Sequence, residues 1–89
     1  MAASIFAKTA TSTGTLQGGR TRLKGFNVKC ASGSPQVVFK NGSGGATQLD
    51  MVFNASDYVQ VNIPDHGMIF SSECHVTLTN VTSITGFFG

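Results

Sequence analysis

The sequence predicts a small all-β protein, an antiparallel β-sandwich or barrel of about seven short strands that follows an extended N-terminal arm. Apolar and polar residues alternate with a period of two in most segments, which is the pattern of a strand with one buried face. Turn-forming residues recur at intervals of about 8–12 residues. The residues Val, Thr, Ile and Phe, which favour strands, make up 29 of the 89 positions.

The chain length corresponds to one domain, and we divide it into an extended arm over residues 1–19 and a single β-sandwich domain over residues 20–89. A domain of this size buries only about 60–65% of the surface of its unfolded chain, so its stability margin is thin. The arm consists mainly of small and polar residues, and Ile5 and Phe6 are its only adjacent pair of large apolar side chains. Such a composition frays unless its own sheet or another chain holds it. We expect the arm to dock on a neighbouring chain, with Ile5 and Phe6 as the anchor.

The first half of the domain predicts two strands and two turns. A strand over residues 20–30 has its apolar alternation interrupted at Gly25, as a glycine β-bulge would do. A turn over residues 32–35 leads to a strand over residues 36–40. The run Asn41-Gly42-Ser43-Gly44-Gly45 is the strongest turn signal, because Asn-Gly accepts the positive φ of hairpin loops.

The second half predicts strands around residues 49–53, 59–63, 68–70, 74–78 and 84–89. Pro64-Asp65-His66-Gly67 is a sharp turn, and Asn80 and Ser83 bracket the last turn. Shared period-two phase predicts a common core made of Val59, Val61, Ile63, Cys74, Val76 and Leu78.

Charge is scarce and unevenly distributed. Charged residues are 11% of the chain, against about 25% in typical domains, and a surface with so little repulsion suits packing against other molecules. All six basic residues lie in the first 40 positions and all four acidic residues lie after them. Neighbouring strands could exchange cross-strand ion pairs, or the basic end of one subunit could meet the acidic side of another. The second explanation predicts interface residues at Arg20, Arg22, Lys24, Asp50 and Asp57.

Several functions are disfavoured by the residues themselves. The net charge is only +2 and the basic positions are not interleaved with aromatic residues, so we expect no nucleic-acid partner. No apolar run approaches the roughly 18 residues that span a bilayer, and no signal peptide is recognisable at the N-terminus, so we expect no membrane partner. Cys30 and Cys74 are then expected to be buried free thiols in a reducing compartment rather than a disulfide.

The residues that could carry chemistry lie close together in sequence but not at useful spacings. Metal ligands are concentrated at Asp65, His66, Glu73, Cys74 and His75, yet no Cys-x-x-Cys or His-x-x-x-His pair is present. Cys74 and His75 are adjacent on a predicted strand, so they point to opposite faces and make neither a metal site nor a nucleophile–base pair. We expect no catalytic residue, no cofactor and no metal.

The C-terminal third resembles the ending of small virion proteins of tailed bacteriophages. The resemblance lies in Ile63-Pro-Asp-His-Gly-Met-Ile-Phe70, Cys74-His-Val-Thr-Leu78 and Val81-Thr-Ser-Ile-Thr-Gly-Phe-Phe88, which match a turn, two strands and a terminal aromatic strand. Gly86-Phe87-Phe88 differs from the continuous Val-x-Val-Phe-Tyr type of strand expected there. The resemblance implies a multi-copy capsid decoration or cement protein of the virion, assembled in the host cytoplasm. Its partners would be the major capsid protein, other virion proteins and further copies of itself.

A second class remains open, a receptor- or carbohydrate-binding module of a phage fibre or tail. Such modules usually use exposed aromatic side chains, and Tyr58 is the only Tyr or Trp of the chain. The out-of-phase residues Phe39, Phe70 and Phe87 could substitute for further aromatic contacts.

Overall fold

The computed structural model describes residues 5–64 and 67–89, and all regular structure in these ranges is β-strand. It comprises nine strands, two more than the seven segments assigned from the sequence, because the arm contributes β1 and β2. Their bounds are β1 (Phe6–Ala10), β2 (Gly14–Gly18), β3 (Thr21–Cys30), β4 (Gln36–Asn41), β5 (Thr47–Val52), β6 (Tyr58–Asn62), β7 (Met68–Phe70), β8 (Glu73–Thr79) and β9 (Val81–Phe88).

The strands form two antiparallel sheets with a shared core, which confirms the predicted all-β sandwich. Sheet A has the order β1-β9-β3-β6, with β7 pairing the first residues of β3, and sheet B has the order β2-β8-β4-β5. The innermost side chains come from the central strands of both sheets and from β7, which pairs with the central strand β3. They include Leu23, Phe26, Val28, Val37, Phe39, Phe70, Cys74, Val76, Ile84 and Phe88, all without solvent exposure.

The predicted bulge in β3 is confirmed. Leu23 lies opposite Phe88 and Gly25 lies opposite Phe87, so Lys24 is the extra residue of β3 at this point. Leu23 and Phe26 both face the core on either side of the bulge. A Cβ atom at Gly25 would lie 2.8 Å from the carbonyl oxygen of Val61, so the close approach of β6 requires glycine here.

Residues 6–18, predicted to be an extended arm, form two strands of the chain's own sheets, and docking of this segment on a neighbouring chain stays a prediction. β1 pairs with β9 and β2 pairs with β8 of the same chain, so both sheets continue into the region predicted to be a separate arm. The anchor is Leu16, which is only 5% exposed in the core between the sheets. Backbone pairing offsets the lack of large side chains, because an edge strand gains its ladder hydrogen bonds whatever its composition.

The residues predicted to form the core point to the inner side of the sandwich, but four of the six are less buried than predicted. Cys74 and Val76 on the central strand β8 are fully buried, whereas Leu78 is half-buried. Val59, Val61 and Ile63 point to the inner side but are also only half-buried. The reason is that β6 is the last strand of sheet A, so its inward side chains are covered from one flank only.

The last turn is shorter than predicted. Ser83 does not bracket it, because β8 ends at Thr79 and β9 begins at Val81. Asn80 alone makes the change of direction, with a φ of 54° that asparagine tolerates better than most residues. The chain passes from sheet B to sheet A at this residue.

The predicted hairpin at residues 41–45 is present and is tied to the neighbouring corner. Gly42 has a φ of 93°, and the backbone N–H of Asn41 donates to the carbonyl of Ala46 at 3.0 Å. The side chain of Asn41 donates to Ser71 Oγ at 2.8 Å and accepts from the backbone N–H of Ser72 at 2.7 Å. The other sharp turn predicted, at residues 64–67, falls partly on Asp65 and His66, which lie outside the described residues.

Candidate assembly surfaces

Ile5 and Phe6 lie at the β1 edge of sheet A, where they remain 57% and 43% exposed. The ring of Phe6 stacks on Phe88, with ring centroids 5.8 Å apart. Register with β9 turns Phe6, Lys8 and Ala10 toward the inner side of the sandwich, because their partners Phe88, Gly86 and Ile84 are buried. The predicted anchor pair is therefore held by its own sheet and still presents apolar surface to solvent.

The opposite flank of the sandwich carries a second apolar surface, which we call the open flank, formed by β5, β6 and the residue that follows each. Its inward-facing side chains are only half-buried, although residues of the same phase on the central strands are fully buried. They are Leu49, Met51, Phe53, Val59, Val61 and Ile63.

Three exposed apolar side chains lie on the outer faces of the sheets. Val52 at the end of β5 is 70% exposed and Tyr58 at the start of β6 is 64% exposed. Ile69 of β7 is 40% exposed on the outer face of sheet A, opposite Arg22 of β3. Tyr58 was considered from the sequence as an aromatic contact, whereas the exposure of Val52 and Ile69 was missed, because period-two alternation does not tell an edge strand from a central one.

The predicted charged interface residues are not brought together within one chain. Arg20 lies in the turn before β3, Arg22 lies within β3, and Lys24 lies at the bulge. Asp50 lies on β5 of the other sheet, where its Oδ1 accepts a hydrogen bond from Gln36 Nε2 at 2.9 Å. Asp57 precedes β6 and accepts from the backbone N–H of Tyr58 at 2.9 Å.

Cross-strand ion pairing does not account for the charge distribution. No register pair between the described strands joins a basic residue to an acidic one. Lys8 faces Gly86, Lys29 faces Tyr58, and Asp50 faces Val38. The ladders of the described strands therefore fix no basic residue directly opposite an acidic one, and these side chains can act between molecules.

The two cysteines are buried free thiols, as predicted. Burial, with a smaller effect of Glu73, raises the pKa of Cys74 from 9.0 to about 12. Burial, with a smaller effect of Asp57, also raises the pKa of Cys30. Both thiols therefore stay protonated at neutral pH, which is the opposite of what a nucleophile or a metal ligand requires.

The residues considered for a metal site do not converge where the structure describes them. Cys74 faces the core, while His75 lies on the outer face of sheet B between Lys40 and Thr15. Thr15 donates through its hydroxyl to Glu73 Oε2 at 3.3 Å. Within residues 5–64 and 67–89 no three potential ligands lie together.

The described part of the chain encloses no pocket and contains no helix that could cross a membrane. Phe39 and Phe70 are fully buried, so they do not supply the exposed aromatic contacts considered for a carbohydrate site.

Comparisons with protein-family models, with curated proteins and with solved structures found no match to this chain. The prominent surfaces are thus the two apolar flanks of the sandwich.

Proposed function

We propose that this protein is a non-enzymatic structural protein of a viral particle, a multi-copy decoration or cement subunit that stabilises the shell through subunit contacts. The observation that carries the proposal is the exposed apolar side chains at strands that end the sheets, Ile5 and Phe6 at β1, Val52 at β5 and Tyr58 at β6. A domain with so thin a margin gains stability when such surfaces are buried between subunits. The resemblance of residues 63–89 to tailed-phage virion proteins supports the viral setting.

The chemistry of the described residues is consistent with this role. The thiols of Cys30 and Cys74 are buried and protonated, and His75 lies on the opposite face of its strand from Cys74. Low charge and many hydroxyl groups leave little electrostatic repulsion between copies packed at high local concentration. The partners would be the major shell protein and other copies of this chain.

The test is detection and counting in purified particles. Particles from a culture that carries the gene for this chain would be banded by density and quantified by mass spectrometry against their major shell protein. A decoration subunit is present at a fixed ratio with many copies per particle, and particles that lack it break open at lower temperature. Absence from intact particles would contradict the proposal.

One observation favours the second class, a receptor- or carbohydrate-binding module. Tyr58 is exposed at the edge of sheet A, and Gln60 and Asn62 share its outward phase on β6. An aromatic face beside amide donors and acceptors can contact a sugar ring and its hydroxyl groups. Binding on a glycan array that is lost in Tyr58→Ala, with an unchanged melting temperature, would favour this function over the first.

A further inference from the structure

We propose that copies of this chain associate head to tail through sheet A, with β1 of one copy added beside β6 of the next. The inference rests on the proposed structural role and specifies its contact. β1 and β6 lie at the two ends of the strand order of sheet A, and each pairs with a single strand among the described residues. Joining them would extend the sheet from one copy into the next, as in β-strand addition.

The backbone of β6 is free to accept such a strand. Cys30 N–H donates to the carbonyl of Asp57 at 2.8 Å, and Ile63 N–H donates to the carbonyl of Lys24 at 2.9 Å. Because antiparallel partners alternate along a strand, the odd positions 57–63 pair with β3, and Tyr58, Gln60 and Asn62 direct their backbone groups outward. Three residues of β6 thus offer donors and acceptors to an added strand.

Strand direction fits the same arrangement. Every neighbouring pair in sheet A is antiparallel, so β1 and β3 run one way while β9 and β6 run the other. A neighbour in the same orientation would therefore place its β1 antiparallel to β6. The two strands have equal length, five residues each.

Apolar surface continues across the proposed contact. Phe6 and Ala10 of β1 face the inner side of the sandwich, as do Val59 and Val61 of β6. In the joined sheet, these side chains would lie side by side and close the open flank. Ile5 would bring further exposed apolar surface to the same junction.

Charge favours this contact over pairing of like edges. Lys8 points inward from the centre of β1, and two β1 strands aligned antiparallel about it would place Lys8 against Lys8, a repulsive arrangement. The receiving strand β6 with its flanking residues 57–63 contains Asp57 and no Lys or Arg. Lys8 of β1 therefore meets no like charge on β6, and the contact is heterologous, which builds rings or longer rows rather than closed dimers.

Two substitutions, one at the β1 edge and one at the β6 edge, test each side of the proposed contact. Ile5→Asp places a charge at the β1 edge, and Gln60→Pro removes an outward N–H at a site where an edge strand tolerates proline. Sedimentation velocity over a concentration series should show wild-type assemblies, and each variant should weaken self-association roughly tenfold or more. Ser43→Asp, in the exposed turn between β4 and β5, is the matched control and should assemble like wild type. Circular dichroism melts establish folding, and Tyr58→Asp replaces Gln60→Pro if that variant is unfolded.

Mixing gives the decisive measurement. Ile5→Asp keeps an intact β6 edge and Gln60→Pro keeps an intact β1 edge, so an equal mixture should form one-to-one dimers and nothing larger. A mixture that stays monomeric, single variants that assemble normally, or a wild type that is monomeric at every concentration overturns the head-to-tail contact. The proposed function is judged separately, since a chain that is monomeric alone and abundant in purified particles keeps that role and loses only this contact.

Discussion

Leu16 and Gly86 meet across the two sheets, and their contact explains why the terminal strand contains a glycine. A Cβ atom at Gly86 would lie 2.8 Å from Leu16 Cδ2 and 2.9 Å from a ring carbon of Phe88. The glycine, which looks from the sequence like a weakness in β9, thus leaves the space that the leucine of β2 occupies. The departure from the phage-like ending at Gly86-Phe87-Phe88 has a packing reason, and β9 runs through it without a break.

This contact predicts coupling between two substitutions. Gly86→Ala should destabilise the fold by about 1–3 kcal/mol through overpacking. Leu16→Ala should cost about 2–5 kcal/mol through the cavity it leaves. The double variant should lose clearly less than the sum, because the methyl group enters the space that the leucine vacates. Chemical denaturation of all four proteins measures the cycle, and strict additivity would show that the two side chains do not compete for one space.

The buried thiol of Cys74 predicts how stability depends on pH. Its pKa is raised from 9.0 to about 12 in the folded chain, so the unfolded chain loses this proton at lower pH. The stabilisation is therefore fully present below pH 9 and declines as the pH rises from 9 toward 12. Cys74→Ala should reduce this decline, measured as the change in unfolding free energy between neutral and alkaline pH. Equal declines in both proteins would contradict the assignment.

Residue-level prediction from the sequence succeeded where one position controls the local backbone. The interruption at Gly25 identified the bulge, and the phase of Cys74 and Val76 identified their burial. It failed at Asn80, because the sequence does not reveal that this single residue takes a positive φ and completes the turn. It also failed at the open flank, where Val59 has the phase of a core residue but lacks cover from a neighbouring strand.

At the scale of elements, the arm was the largest difference between expectation and structure. Residues 6–18 have no clear alternation of large apolar side chains, so their strands were invisible to a pattern of hydrophobicity. β1 and β2 are edge strands whose ladder hydrogen bonds do not depend on side chains. The two differ in burial, since Leu16 of β2 lies in the core whereas Phe6 of β1 is 43% exposed.

Two truncations should separate these strands. Deletion of residues 2–10 removes β1, and the chain should keep its β-rich circular dichroism with a lower melting temperature. Deletion of residues 2–18 also removes β2 and Leu16, and the chain should lose its cooperative melt, because a core residue and one edge of sheet B disappear from a domain of about 5–15 kcal/mol stability. Equal melting temperatures for the two truncations would remove Leu16 from its role as the anchor.

At the scale of the molecule, strands that are far apart in sequence, β1 and β9, meet in one sheet. β1 near the N-terminus pairs with β9 near the C-terminus, and β9 lies between β1 and β3. Sheet A is therefore incomplete until β9 has been synthesised. Since β-proteins with such distant pairings fold slowly, in milliseconds to seconds, the half-built sheet has exposed edges during that time. The inward-pointing Lys8 opposes the pairing of two β1 edges with each other.

The position of β9 predicts that this strand is indispensable, unlike β1. A chain that ends at Asn80 would lose Ile84 and Phe88, both fully buried, and would separate β1 from β3. Burial of two such side chains contributes roughly 3–6 kcal/mol, and the lost ladders on both sides of β9 add to that. We therefore expect a poorly dispersed amide NMR spectrum and no cooperative melt.

The control lacks only Gly89, whose N–H donates to the carbonyl of Arg22 at 3.3 Å, and it should fold with a slightly lower melting temperature. A dispersed spectrum from the chain ending at Asn80 would mean that β3, β6 and β7 hold their sheet without the strand that joins it to β1.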